Sequence, residues 1–176
     1  MKKYPMFVPL LFLLACAQKP QEEPKTLVDP RSYNLGIIGA FGEVVNAGVK
    51  KLAMSEALPP SEMDALMAEA EKVAERNHVL LYREPDLIVT DLFPADVAKG
   101  KEVLLIYQGT TKEEYLALKE EVKTSERSGM YSGKIREEIS IRFGRLLSYP
   151  DRYIRELIAA NRSEEQPSSD TSGATQ

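Results

Sequence analysis

The stretch VLLYREPDLIVTDLFPADVAKGKEVLLIY, Val79 to Tyr107, decides the fold class. It holds three short apolar runs: Val79–Tyr82 (VLLY), Leu87–Leu92 (LIVTDL) and Glu102–Tyr107 (EVLLIY). Runs of four to eight residues, rich in branched and aromatic side chains and bounded by turn residues, read as strands rather than helices. Arg83-Glu84-Pro85-Asp86 supplies Pro-Asp turn chemistry between the first two. Phe93–Gly100 is a short connection with room for one helical turn. The reading is a small sheet of about three strands, four if the N-terminal segment joins it.

Working outward, the flanks read as helices. After Gln108-Gly109, Thr111 and Glu114 have capping-box spacing, and Lys112–Arg127 offers Tyr115, Leu116, Leu118 and Val122 to a core. Ser128-Gly129 ends that helix. Ser132 is the expected cap of the next, whose apolar face is Ile135, Ile139, Phe143, Leu146 and Leu147. Ser148-Tyr149-Pro150-Asp151 turns into a last helix, with Ser148 as N-cap and Tyr153, Ile154, Leu157 and Ile158 buried, so the C-terminus should be a helical hairpin.

On the other side, Pro59-Pro60 breaks the chain. Ser61, with Asp64 three residues on, reads as a capped start of a helix ending near Asn77, with Met63, Leu66, Met67, Ala70 and Val73 inward. Asn34–Ser55 has apolar residues at helical spacing, although Gly36, Gly39, Gly42 and Gly48 each cost about 1 kcal/mol in a helix interior. A strand followed by a helix is the alternative there. The fold class is α+β, or a small α/β layer: one helix-rich domain, residues 32–162.

The ends of the chain carry an address. Lys2 and Lys3 precede an apolar run of ten, Met6–Ala15. That is too short for a bilayer core of ~30 Å, which needs roughly 20 helical residues, and it suits a signal-peptide h-region. Leu13-Leu14-Ala15-Cys16 closes the run and resembles the lipobox of bacterial lipoproteins, although Leu14 stands where the family more often has Ala, Ser or Thr. The resemblance covers only these sixteen residues. It implies removal of residues 1–15, fatty acylation of Cys16 and a permanent lipid anchor in the cell envelope. Ala17 follows the cysteine rather than Asp, which implies the outer membrane, facing the periplasm, if the host has one. Cys16 is the sole cysteine, so no intramolecular disulfide is available.

Residues 16–31 are rich in Pro, Gln, Glu and Lys and read as a disordered tether. At ~3.1 Å per residue in polyproline geometry, it reaches on the order of 45 Å. Residues 163–176 read as a polar, disordered tail.

The formal charge is −4 for the whole chain, which argues against nucleic acid as a partner. Tyr131–Arg162 runs against that trend, with seven basic residues against four acidic ones. It reads as an ion-paired helical surface or as a patch for an acidic partner or anionic headgroups.

The catalytic inventory is thin. His78 is the only histidine and lies at an expected helix C-terminus. No G-x-S-x-G elbow is present. One histidine, and one cysteine that the lipobox resemblance implies is acylated, fall short of the usual zinc ligand set, and no metal or cofactor is assigned. Glu84, Asp86, Asp91 and Asp96 fall within thirteen residues, and paired oxygen ligands suit calcium, magnesium or acid–base work. The candidate ligand-binding residues are Arg83, Asp86, Asp91, Phe93 and Asp96, centred on the Thr90–Lys101 loop. The Phe143–Pro150 turn is a second place where an anion could bind. The leading expectation is an envelope-anchored, non-catalytic domain that binds another envelope protein. The alternative is an envelope enzyme or a small-ligand or metal binder using the acids of Glu84–Asp96 with Arg83 or Tyr82.

Overall fold

The computed structural model describes residues 29–165. The stretches expected to be a signal peptide and, as far as residue 28, a tether, with Cys16 between them, and the expected tail from residue 166 lie outside the described residues. Within them the chain is an α+β domain of six helices and a three-stranded antiparallel sheet. The order is α1 (Pro30–Asn46), β1 (Leu52–Met54), α2 (Pro60–Arg76), β2 (Leu80–Glu84), α3 (Ala95–Ala98), β3 (Val103–Tyr107), α4 (Thr111–Arg127), α5 (Gly133–Leu146) and α6 (Asp151–Glu165).

β3 is the middle strand, in the order β1-β3-β2. All five of its residues are buried, because helices cover both faces of the sheet. Side chains alternate across a strand. Val103, Leu105 and Tyr107 therefore enter one core with Tyr115, Ile139, Phe143 and Ile154 of α4, α5 and α6. Leu104 and Ile106 enter the other core with Ile38 of α1 and Met63, Leu66 and Val73 of α2. The register keeps this division: Ala53 and Leu81 oppose Ile106, while Tyr82 opposes Leu105. The continuous apolar run VLLIY is the sequence trace of a strand buried on both sides.

The sheet has three strands, but one differs from expectation. Leu87–Leu92 is not a strand. After Pro85 and Asp86 the segment leaves the sheet and lays Leu87, Ile88 and Leu92 over the α4–α6 core. Its backbone groups bond to side chains instead of a ladder: Ile88 N–H to the Tyr115 hydroxyl (3.4 Å), and Asp91 N–H to Ser140 Oγ (2.9 Å). The third strand is β1, from within the segment expected to be one long helix. α1 stops at Asn46, and the chain then forms a strand, which is the reverse of the strand-then-helix alternative.

α1 stops there because of a local closure that recurs along the chain. Gly48, at φ +73°, donates to Val45 O, and Val49 N–H donates to Val44 O. This is the Schellman pattern, with a left-handed residue just past the helix. α2 ends the same way on His78 (φ 54°), α4 on Gly129 and α5 on Ser148 (φ 61°). Ser148 thus closes α5 rather than capping α6, and its Oγ accepts the Lys51 N–H at 2.8 Å. Two other expected caps also do different work. Pro59, not Ser61, takes the cap position of α2 while Asp64 reaches Arg83 at 2.6 Å, and the Thr111 hydroxyl donates to Gln108 O. Ser132 does hold the cap position of α5, without a side-chain cap bond. α1 begins at Pro30, two residues before the expected start of the domain, and α6 runs on to Glu165.

The C-terminal hairpin of α5 and α6 packs through Gly144, where an added Cβ would lie 2.7 Å from Ile154 Cγ1. Tyr153, expected inside, is 46% exposed and stacks edge-on against Tyr149. Ile135 is also largely outside the core.

Gly144→Ala is expected to lower stability by about 2 kcal/mol through overpacking. His78→Gly should raise it by about 1 kcal/mol, by relieving a left-handed residue that carries a Cβ. Urea midpoints at unchanged m value would read both.

Candidate functional site

Arg83 and Glu84 are neighbours in β2, so they point to opposite faces of the sheet. Arg83 turns to the α2 side. Its guanidinium meets Asp64 of α2 (2.6 Å) and Glu102 (2.5 Å), and these bonds hold its pKa above the ordinary arginine value. Glu84 turns to the α4 side and is 1% exposed. Its Oε1 accepts from Lys119 of α4 (2.6 Å) and from the Asp86 N–H (2.7 Å). Lys119 also donates to Asp86 O, while the Asp86 carboxylate, 74% exposed, lies 3.4 Å from Nζ. Burial first, and the Glu84 charge second, push the Tyr115 phenol far above its usual range.

Asp91 lies in a third set of contacts. Its carboxylate is 5% exposed and meets two arginines, Arg136 Nε at 2.7 Å and Arg162 Nη2 at 2.5 Å. Arg162 also reaches Glu137 at 3.0 Å, and its pKa is raised, chiefly by the bond to Asp91. The loop around Asp91 is fastened at its backbone as well. Asn161 of α6 donates to Asp91 O (2.8 Å) and Leu92 O (3.1 Å), and the Tyr131 hydroxyl donates to Val89 O at 2.6 Å. Ser140 receives the Asp91 N–H and donates to Arg136 O at 2.7 Å. Thr90 Oγ1 accepts from both Leu92 and Phe93 N–H, which fixes the turn. Phe93 packs its ring against Phe143 at 5.6 Å, and Asp96 lies exposed in the short α3.

The five sequence candidates are therefore not brought together. Arg83, Asp86 and Asp91 belong to three separate ion-pair systems, Phe93 is a packing residue and Asp96 faces solvent. Among the described residues no group of three His, Cys, Asp or Glu side chains has metal-holding geometry. The Phe143–Pro150 turn is likewise engaged in internal contacts. Arg145 forms a two-pronged pair with Asp151 (2.9 and 2.6 Å), and Lys50 lies 4.5 Å over the Tyr149 ring while donating to Leu147 O.

Asp91 borders a cavity. A concavity of about 670 Å³ opens beside it at the start of α5, lined by Tyr131, Ser132, Lys134, Arg136 and Arg162 among others. Lys134 makes no ion pair among the described residues. Two more depressions flank α5. One of about 520 Å³ lies along Lys134, Ile141, Arg142 and Arg145, and one of about 390 Å³ lies between α4 and α5 around Lys51, Leu118 and Arg142. Sequence reasoning counted the basic excess of this region but did not connect Arg136 and Arg162 to Asp91, which lies 45 and 71 positions away.

Comparison with protein-family models, curated proteins and solved structures finds no match for this chain.

Asp91→Asn leaves two arginines facing a neutral side chain. It should cost about 3 kcal/mol, as breaking a largely buried ion pair does, and should loosen the 87–93 loop in hydrogen exchange. Tyr131 gives a separate pH signature. Burial first, and then the Asp91 charge against the opposing pull of Arg136, push its phenol up to about 12 from 10.0. Its contribution is therefore fully present below pH 10 and is lost as the pH rises through about 12. Tyr131→Phe should cost about 1 kcal/mol at pH 8, for the lost Val89 bond, and progressively less towards pH 12.

Proposed function

We propose that this chain is a lipid-anchored envelope lipoprotein whose folded domain is a non-catalytic binding module, docking an acidic envelope protein along α5. Residues 1–16 support the anchor: a short charged start, an apolar run of ten and the Leu13-Leu14-Ala15-Cys16 box. Acylation of Cys16 would hold the domain at a membrane, the outer membrane facing the periplasm where the host has one.

The observation that carries the binding reading is the division of labour among the acids of Glu84–Asp96. Glu84 and Asp91 each fasten a loop to a helix through a buried ion pair, instead of facing each other across a cleft. That arrangement favours a rigid scaffold over an enzyme or metal binder built on those acids. The remaining polar capacity lies on α5. Lys134, Arg142 and Arg145 line depressions on its flanks, and the pairs of Arg142 with Glu121 and Arg145 with Asp151 are exposed. Exposed pairs contribute little to stability, so exchanging one acid for a partner's acid costs little. Arginine is also enriched in protein interfaces.

Mild crosslinking and affinity capture of the intact protein, beside Cys16→Ser and Lys134→Glu/Arg142→Glu, tests both parts. The expected result is a mature chain beginning at an acylated Cys16 and one dominant acidic partner, at least tenfold depleted by the charge-reversed variant. An unmodified Cys16 would overturn the anchor. Capture indifferent to charge reversal would overturn the α5 interface.

A further inference from the structure

On the far side of the sheet from α5, a cavity of about 320 Å³ lies between the first turns of α1 and α2. Pro30 and Ala65 are exposed on its walls, and Leu58 and Leu66 are buried at its floor. Leu58 is held there by a pair of backbone hydrogen bonds with Glu102, at 2.9 and 2.8 Å. Asp29, the first described residue, also lines the cavity. The chain that precedes Asp29 therefore starts at the cavity mouth.

Residues 17–28 read AQKPQEEPKTLV. Leu27 and Val28 are the large apolar side chains in this polar stretch, and they stand directly before Asp29. Asp29 is the N-cap of α1, its carboxylate accepting the Ser32 N–H at 3.0 Å. Val28 is then the residue before the cap and Tyr33 the fourth residue of the helix, the two positions of a hydrophobic staple. Tyr33 is 54% exposed in the described domain, so its ring has a face for Val28 to cover. Tyr33 lies beside the cavity, which Arg31 and Asn34 line. Successive side chains of an extended chain point to opposite sides. With Val28 on Tyr33, Leu27 is directed the other way, and two residues of chain span about 7 Å, enough to reach the cavity from Asp29. Charge agrees with this placement. Asp29, Arg31 and Glu62 leave the lining with one net negative charge, and Lys25 approaches the same mouth.

We infer that this chain's own Leu27-Val28 segment docks over the start of α1, with Val28 on the Tyr33 ring and Leu27 in the cavity between Pro30, Ala65 and Leu66. The contact needs neither the anchor nor the α5 surface, so its loss would leave both of those readings intact. Its consequence rests on the lipid-anchor reading. With Leu27 held, residues 17–26 form the free tether, a span on the order of 30 Å, and the end of the domain where α1 and α2 begin is turned toward the membrane.

Methyl-labelled full chain tests the docking by NMR. Nuclear Overhauser contacts are expected from Leu27 to Leu58 and Leu66, and from Val28 to the Tyr33 ring. Ala65→Glu, at an exposed helix position, should remove the Leu27 contacts with the fold intact. Leu27→Asp should speed exchange of the Tyr33 amide, which donates to Asp29 O at 3.0 Å, by about threefold or more. In a mixture of differently labelled chains the contacts should stay within one chain. Contacts between chains would assign the cavity to a second copy instead. That result, random-coil shifts at residues 27 and 28, or unchanged Tyr33 exchange in Leu27→Asp would each overturn the assignment.

Discussion

A five-residue strand with no exposed side chain governs this domain. β3 contributes Val103, Leu105 and Tyr107 to one core and Leu104 and Ile106 to the other. At roughly 2 kcal/mol for each fully buried apolar side chain, that one strand supplies on the order of 10 kcal/mol of gross burial, comparable with the whole net stability of a typical domain. Such a strand requires a helical layer on each face and a strand on each edge. α1 and α2 form one layer, α4, α5 and α6 the other, and β1 and β2 supply the edges. The sheet stays small because its neighbours are short, three and five residues.

So narrow a sheet cannot cover the larger core by itself. The 87–93 segment extends that cover without belonging to the ladder, and its backbone polar groups need other partners. Tyr115, Tyr131, Ser140 and Asn161 provide them, from α4, α5, α6 and the connection between α4 and α5. The charged groups then follow a consistent logic. Glu84 with Lys119 anchors the start of the segment, and Asp91 with Arg136 and Arg162 anchors its middle. Buried pairs of this kind add little net stability compared with apolar replacements, but they are costly to break singly. Their role is to hold an irregular segment in one place.

This explains what could be read in the sequence and what could not. The fold class was legible because VLLIY has no competing interpretation as a helix of adequate length, and because the apolar faces of α2, α4 and α5 repeat at helical spacing. Leu87–Leu92 was misread for a physical reason. Its composition is that of a strand, and apart from the local turn at Thr90 its backbone is satisfied by side chains 27 to 70 positions away. β1 was hidden because Leu52, Ala53 and Met54 continue the helical spacing of α1, and Gly48 alone marks the break. Of the four acids grouped in the sequence, Glu84 and Asp91 are buried, whereas Asp86 and Asp96 are exposed. Local spacing could not show that the period-2 twist of β2 and the loop after it send them to different partners.

The helix ends give the domain a polarity that bears on where it can bind. Four helices close their C-termini with the same left-handed residue and paired backbone bonds, at Gly48, His78, Gly129 and Ser148. Their carbonyls are largely satisfied from within. The N-termini differ. α1 has a side-chain cap in Asp29, whereas α2, α4 and α5 begin without one. A helix start leaves N–H groups to be met by water, side chains or a ligand. The concavity beside Asp91 opens at the start of α5, and the one lined by Asn34 opens where α1 and α2 begin. The two differ in what surrounds those N–H groups. Lys134, Arg136 and Arg162 stand with Asp91 and Glu137 at the first, and Asp29 and Glu62 stand with Arg31 at the second. Similar backbone openings on opposite sides of one sheet thus differ in the balance of their charged side chains, with a basic excess at the start of α5 and an acidic excess where α1 and α2 begin.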